Sequence, residues 1–245
     1  MATIFQTFFY QPVLNLLVFL YNIIPGNDLG IAIILLTIVI KLVLLPLSKQ
    51  SIKSQKALQD LQPKIEEIKK KHSKNKEEMG RAMMQLYKDN KVNPLSSCLP
   101  LFLQLPFLFA VFRVFRDGFA NGSLELVYPF IYKPENLNPI AFGFFDLSVP
   151  SPVLAVMAGA AQYWQTKMFM AKKPEVKNKG AQDENMMTIM NKQMMYMMPI
   201  LTIFIGLTFP GGLALYWLTT TVLTALQQMY IFKKDKAEVE VIKNV

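Results

Sequence analysis

Long apolar blocks separated by charged segments constrain the fold of this chain more than any other feature. The blocks are about 18 to 22 residues long, so a helix with a rise of 1.5 Å per residue could cross a hydrocarbon core about 30 Å thick. Of the 245 residues, 52% are hydrophobic, which exceeds what an ordinary soluble domain needs to fill its core. The pattern predicts an all-α polytopic membrane protein.

Five transmembrane helices are expected, with short or charged segments between them. The helices are predicted at 29–47, 93–116, 150–170, 194–209 and 213–232. Pro100 and Pro106 lie in the second of these helices, where neighbouring helices of a bundle can satisfy the carbonyls that a proline leaves free. The fourth and fifth helices are separated only by a tight turn containing Pro210.

The N-terminal segment 1–28 is apolar but interrupted by polar residues. The interruptions inside 4–24 are Gln6, Gln11, Pro12, Asn15 and Asn22. They favour an interfacial helix that lies in the plane of the membrane over a helix that spans it. The turn sequence PGND follows, in which Asn27 or Asp28 can cap the next helix.

The segment 48–92 is strongly basic and amphipathic. Between Lys49 and Lys91 there are twelve Lys and Arg against six Asp and Glu. Apolar residues recur at helical spacing, as in Leu58, Leu61, Ile65 and Ile68. The sequence HSKN at 72–75 breaks the pattern, and Asn75 with Glu78 has the spacing of a capping box. A helical hairpin outside the bilayer is predicted.

The distribution of basic residues predicts the orientation in the membrane. The hairpin, the loop 171–193 and the tail 233–245 hold twelve, five and four basic residues, whereas the loop 117–149 holds only Lys133. Cytoplasmic segments carry the excess of Lys and Arg. The three basic segments are therefore expected in the cytoplasm, the 117–149 loop and the N-terminus outside, and the C-terminus inside.

Few residues are available for catalysis or metal binding. Cys98 and His72 are the only cysteine and histidine, so a metal cluster or a His-based catalytic pair is not expected. The predicted spans contain no Asp or Glu, and no phosphate-binding loop is present. We therefore expect no cofactor and no enzymatic activity. A small-solute or anion channel or transporter stays as the alternative, although one lysine supplies no ring of charge without oligomerisation.

Lys41 interrupts the apolar run IVIKLVLLPLS at 38–48. A centrally placed lysine costs about 2.5 to 3.5 kcal/mol on insertion scales, so such residues usually face a bundle interior or water and mark a site. The alternative is a lysine that snorkels to the interface. Polar residues that could line a wet cavity with it are Thr37, Gln104, Gln162, Gln165 and the run Thr219 to Thr221, and each of these could instead form an interhelical hydrogen bond.

The stretch MMTIMNKQMMYMMP at 186–199 is rich in methionine. Flexible thioethers fill irregular gaps, so ordinary helix packing is one interpretation. An adaptable surface for varied apolar segments is the other. The sequence leaves both open.

The chain resembles the YidC/Oxa/Alb family of membrane protein insertases, in particular the core of its bacterial members. Four stretches carry the resemblance, in the order of the family: TIVIKLVLLPLS at 37–48; LQPKIEEIKKK with MMQLYKDNKVNPLSSCLPLFLQLPFLF at 83–109; QMMYMMPILT at 193–202; and FPGGLALYWLTTTVLTALQQ at 209–228. Together they extend over nearly the whole chain.

The resemblance implies an insertase core of five helices around a hydrophilic groove that is open to the cytoplasm and to lipid. Lys41 would take the place of the family's groove arginine, and lysine lacks the planar fork of the guanidinium. The substrate-binding groove would be lined by Lys41, Thr37, Gln104, Gln162, Gln165, Tyr216, Trp217 and Thr220.

The resemblance also implies partners and a location. Nascent membrane proteins would be the substrates and the lipid bilayer the medium, with the ribosome and the secretion translocon as further candidate partners and no direct recognition of nucleic acid. The 48–92 hairpin would receive the substrate. The expected location is the bacterial cytoplasmic (inner) membrane.

Overall fold

The computed structural model describes residues 2–73, 75–93, 99–118, 123–169 and 182–243. These residues are almost entirely helical, which confirms the predicted all-α class. Parts of the expected second span, of the 117–149 and 171–193 loops, and of the tail lie outside the described residues.

Helices α1 to α9 follow one another along the described chain. α1 comprises Ala2–Phe5, a π-helical turn Gln6–Tyr10 and Gln11–Ile23; α2 is Leu29–Val43, α3 Leu45–Asp60, α4 Gln62–Lys71, α5 Lys76–Asp89, α6 Leu99–Gly118, α7 Pro152–Phe169, α8 Gln182–Thr208 and α9 Gly211–Lys243. A 3₁₀ turn, Ser123–Leu126, and the antiparallel pair β1 (Ile140–Ala141) and β2 (Phe145–Asp146) lie between α6 and α7.

The chain bends sharply between α2 and α3. α2 ends at Val43, and the axis turns by 71° at the break before α3. Pro46 lies in the first turn of α3, where its missing N–H costs nothing because that group would have no helical partner. The expected first span, 29–47, therefore runs past the bend. Within the described residues no single helix is both long and apolar enough to cross a membrane, whereas α2 and α3 meet the criteria of length and composition as a bent pair.

The basic segment after α3 folds into two further helices. α4 ends at Lys71, and the chain turns at the HSKN sequence before α5 begins. Asn75 caps α5, because its Oδ1 accepts hydrogen bonds from the backbone N–H groups of Glu77 (3.1 Å) and Glu78 (3.2 Å). α4 and α5 contact each other, and Ile65 on α4 is buried.

Two helices are longer than the sequence suggested. Residues 182–193, expected in a loop, form the start of α8, and residues 233–243, expected in the tail, continue α9. Neither stretch contains glycine or proline, and both are rich in residues with good helix propensity, such as Gln, Met, Glu and Lys. Their charge led to the prediction of loops, but charge does not end a helix.

The polar residues of α1 face protein. The Asn15 amide is buried; it donates to the Leu126 carbonyl at 3.1 Å and accepts from the Tyr128 N–H at 2.6 Å. The Gln11 amide also donates to the Leu126 carbonyl, at 3.2 Å. Gln11 and Asn15, two of the residues that suggested an interfacial helix, are thus hydrogen-bonded to the 3₁₀ turn and the segment after it. Leu14 enters the core.

Asp28 joins the loop to the start of α2. One carboxylate oxygen caps α2 by accepting from the Ile31 N–H at 3.0 Å, and the other accepts from the Phe142 N–H at 2.6 Å. The β1–β2 turn lies so close to α2 that a Cβ on Gly30 would stand 2.7 Å from the Ala141 side chain. The N-terminal end of α2 and the β1–β2 turn therefore form one packed unit.

Candidate substrate-binding site around Lys41

α9 is the helix that most of the predicted site residues share or contact. Its polar residues Tyr216, Trp217, Thr220, Thr221, Thr224, Gln227 and Gln228 fall within an arc of about 140° at 3.6 residues per turn. The arc is about 18 Å long at a rise of 1.5 Å per residue. Thr219, which the sequence grouped with its neighbours, lies outside the arc, and its hydroxyl donates to the Leu215 carbonyl at 2.8 Å.

Lys41 meets this arc at Thr224. Lys41 Nζ donates a hydrogen bond of 2.7 Å to Thr224 Oγ1, and that hydroxyl donates its own proton to the Thr220 carbonyl at 2.6 Å. The lone pairs of Thr224 are therefore available to the ammonium group. Lys41 is half-buried, and among the described residues no carboxylate pairs with it.

The bend after α2 places Lys41 at a helix end, which favours the charged form of its side chain. Because α2 ends at Val43, Lys41 lies in its last turn. The unsatisfied carbonyls at a helix C-terminus carry partial negative charge, which favours a cation there by about 0.3 to 1 kcal/mol. The helix end and the Thr224 hydroxyl together stabilise the ammonium, which pairs with no carboxylate in the part of the chain that the structure describes.

Thr37 and Gln104 take different roles around Lys41. Thr37 is buried, and its hydroxyl donates to the Ile33 carbonyl of the same helix at 2.7 Å, so it does not line the accessible surface. Gln104 on α6 is half-buried, and its amide donates to the Tyr216 hydroxyl oxygen. Tyr216 is itself buried and thus positions Gln104 without lining the accessible surface.

A second group of polar contacts joins α7 to α9. The side-chain oxygen of Gln162, Oε1, is 3.4 Å from the Trp217 indole nitrogen and 3.5 Å from the Thr221 hydroxyl. Gln165 donates to the Gln228 side chain at 3.1 Å. The structure therefore brings the predicted residues together on two adjoining faces of α9, with Lys41 and Gln104 on one and Gln162 and Gln165 on the other.

The sequence interpretation missed the contacts at the end of the arc. The Gln228 amide donates to the side-chain oxygen of Gln55 on α3 at 3.3 Å, and the Gln227 amide donates to the Ser48 hydroxyl, also on α3, at 2.9 Å. These bonds attach α3, the first of the basic helices, to α9. Thr224 was missed as well, although its four-residue spacing from Thr220 placed it on the same helix face.

Comparison with known proteins places the chain in a family. The family model described as 60Kd inner membrane protein matches residues 19–238. A protein of Fusobacterium nucleatum named Membrane protein insertase YidC is 36% identical over 231 residues, which are 94% of this chain and 99% of that relative. The chain belongs to this family. Membership of the 60Kd inner membrane protein family confirms the resemblance to YidC and its relatives that the four sequence stretches carried.

Other members of the family bearing the name Membrane protein insertase YidC are much longer. That of Geobacter sp. strain M21 is 39% identical over 225 residues, which are 91% of this chain and 36% of the relative. That of Magnetococcus marinus is 36% identical over 233 residues, again 36% of the relative. The chain thus covers nearly all of one relative and 36% of each of these two.

Membership of the family bears on the location of the chain and on the channel alternative. Its description supports the bacterial inner membrane as the location of this chain. The channel or transporter alternative finds no support, because the relatives named here are all called insertases.

Proposed function

We propose that this chain inserts nascent membrane proteins into the bacterial inner membrane through a polar, positively charged groove beside α9. The contact between Lys41 and Thr224 carries the proposal, because it holds a cation among apolar helices with no described acid to neutralise it. The names of the relatives support the same activity.

The proposed topology keeps five spans. They are centred on α2, α6, α7, the part of α8 from about residue 194, and the first two-thirds of α9, with the N-terminal helix against the outer leaflet. The basic helices α3 to α5 then lie on the cytoplasmic side, as does the C-terminus. The bend after α2 would mark the cytoplasmic membrane surface on its side of the bundle.

The groove lowers the barrier to moving a polar segment across the bilayer. Backbone and charged groups must leave water during this step, and each unsatisfied group costs several kcal/mol in hydrocarbon. A row of half-buried polar side chains offers replacement partners along part of the path. Gln104, Gln162 and Gln165 are half-buried residues of this kind.

Lys41 attracts acidic residues of the translocating segment. One ion pair at 4 Å is worth about 4 kcal/mol at an effective dielectric constant of 20, before the unfavourable desolvation of both groups. The net attraction favours entry and still permits release. The apolar helix of the substrate then leaves into lipid along α7 and α9, driven by the burial of its apolar surface in the bilayer core.

No covalent chemistry is required by this proposal. The chain acts as an insertase and chaperone, and its direct partners are the nascent membrane protein and the surrounding lipid. The ribosome and the secretion translocon are proposed as delivery partners at the basic cytoplasmic helices.

Complementation tests the function. The resident insertase of a bacterial host is depleted, this chain is expressed in its place, and membrane insertion of a small protein with an acidic translocated tail is followed by protease protection. We expect the tail to become protected from cytoplasmic protease. An unchanged, accessible tail at normal expression of the chain would contradict the proposal.

Thr224→Val should weaken insertion of the same acidic substrate. Valine keeps the shape of threonine but removes the acceptor for Lys41 Nζ, so the ammonium is free to snorkel toward water. We expect a several-fold lower rate of insertion. Thr224→Ser keeps the hydroxyl and should restore the rate, and Thr219→Val is the matched control because Thr219 lies outside the polar arc. Equal rates for Thr224→Val and Thr219→Val would remove Thr224 from the site.

A further inference from the structure

Three aromatic side chains of the 123–149 segment are exposed to an unusual degree. Phe130 is 83% exposed, Tyr132 77% and Phe144 72%. Exposed aromatic residues of this size are uncommon on a surface that meets only water, and a group of them marks an interaction site. The proposed function uses none of the three.

Hydrogen bonds to α1 and to the cap of α2 position the segments that carry Tyr132 and Phe144. The Asn22 amide of α1 donates to the Tyr132 carbonyl at 2.6 Å. The Asp28 carboxylate accepts a hydrogen bond from the Phe142 N–H. Phe142 and Gly143 both have positive φ angles, of 54° and 81°. A positive φ is unfavourable for phenylalanine. The carboxylate bond holds this turn in place, and the turn presents Phe144 outward.

Exposed residues of α1 lie at the same end of the molecule. Phe19 is 45% exposed and Ile23 58% exposed, and they flank Asn22, whose bond to Tyr132 joins the helix to the loop. We call the five side chains together the outer apolar surface; they are Phe19, Ile23, Phe130, Tyr132 and Phe144. The Asn22–Tyr132 and Asp28–Phe142 hydrogen bonds place this surface near the end of α2 that Asp28 caps.

The chemistry of the outer apolar surface fits lipid. The chain has no charged residue before Asp28, so α1 contributes no charge to the surface. Phenylalanine and tyrosine are suited to the boundary between headgroups and acyl chains, where the ring is apolar and the tyrosine hydroxyl reaches water. The surface also lies near the start of α2, which together with α3 meets the criteria of length and composition for crossing a membrane as a bent pair, so this boundary is expected there.

We infer that the outer apolar surface is embedded in the headgroup and acyl boundary of the outer leaflet. The 123–149 segment is then a membrane-bound cap over the ends of α1 and α2, anchored by its aromatic residues. This anchoring is independent of the Lys41 site and of any substrate. A second protein, or a second copy of this chain, is the competing occupant.

Site-specific fluorescence quenching tests the inference on the full chain. Cys98, the only cysteine, is replaced by serine, and Phe130→Cys, Tyr132→Cys or Phe144→Cys is introduced singly. Each variant is labelled with a small environment-sensitive fluorophore and reconstituted in vesicles of phosphatidylethanolamine and phosphatidylglycerol. Gln85→Cys on the exposed face of α5 is the control for a water-facing position. Quenchers are iodide in water and lipids spin-labelled near the headgroup or deep in the acyl chain.

We expect the three test positions to be quenched several-fold more by the shallow spin label than Gln85→Cys and several-fold less by iodide. Iodide quenching at the level of the control would overturn the inference. Protection from iodide without quenching by either lipid label would also overturn it, since the surface would then be covered by protein. Insertion assays on Lys41 variants report separately on the groove, so failure of one proposal leaves the other measurable.

Discussion

Lys41→Glu is expected to block insertion of substrates whose translocated segment is acidic. The substitution replaces attraction by repulsion at the one described cation of the polar arc. An interaction of about 4 kcal/mol at 4 Å is opposed by desolvation, so we expect a net loss of at least about tenfold, which corresponds to about 1.4 kcal/mol. The rate of protease protection of an acidic tail measures the loss in cells depleted of their own insertase.

Charge-matched variants separate the site from the net charge of the chain. Lys49→Glu changes the charge equally on an exposed residue of α3 and should leave insertion near the wild-type rate. Lys41→Arg keeps the cation and should preserve the activity, because the guanidinium still offers N–H donors to the Thr224 hydroxyl. If Lys41→Glu and the wild type inserted the acidic substrate equally at matched expression, Lys41 would be a snorkelling lysine.

Insertion of a neutral substrate by the same variants provides a second measurement. A substrate whose translocated segment is neutral gains nothing from the ammonium group, so its insertion should be nearly independent of the charge at position 41. The ratio of acidic to neutral insertion therefore isolates the electrostatic contribution from any general damage to the fold. That ratio should fall in Lys41→Glu and stay constant in Lys49→Glu.

The sequence predicted the helical class and the family because both depend on patterns that extend along the chain. Apolar blocks between charged segments predict an all-helical chain, and four separate stretches carry the family resemblance. Of the predicted site residues on α9, Thr220 belongs to a polar run within an apolar block, and Tyr216 was implied by the family resemblance. Local boundaries were harder to predict.

Tertiary contacts explain what the sequence did not reveal. The bend after Val43 places Lys41 at a helix end, whereas an unbroken apolar run suggested a lysine about six residues inside one. Thr224 shares a helix face with Thr220, but its partner on α2 and the partner of Gln228 on α3 are more than 170 positions away in the sequence. A hydrogen bond across that separation leaves no local pattern in the chain.

Asn15→Leu is expected to destabilise the packing of α1 on the 123–149 segment. Leucine has the same number of side-chain heavy atoms but leaves the Tyr128 N–H without its acceptor, and the Leu126 carbonyl keeps only the bond from Gln11. An unsatisfied buried group costs about 1 to 3 kcal/mol. The full chain in detergent should therefore unfold at a lower temperature, and limited proteolysis should cleave the 123–138 segment faster.

Asn22→Leu is the matched control, because Asn22 also bonds this segment from α1 but lies at the surface. Water can replace its bond to the Tyr132 carbonyl, so the loss should be less than about 1.5 kcal/mol. Equal effects of the two substitutions would show that the buried amide has no special part in holding the segment. A larger effect of Asn15→Leu would mean that the polar residues of α1 act as protein contacts. The lipid contact of α1 must then be made by its exposed apolar stripe, to which Phe19 and Ile23 belong.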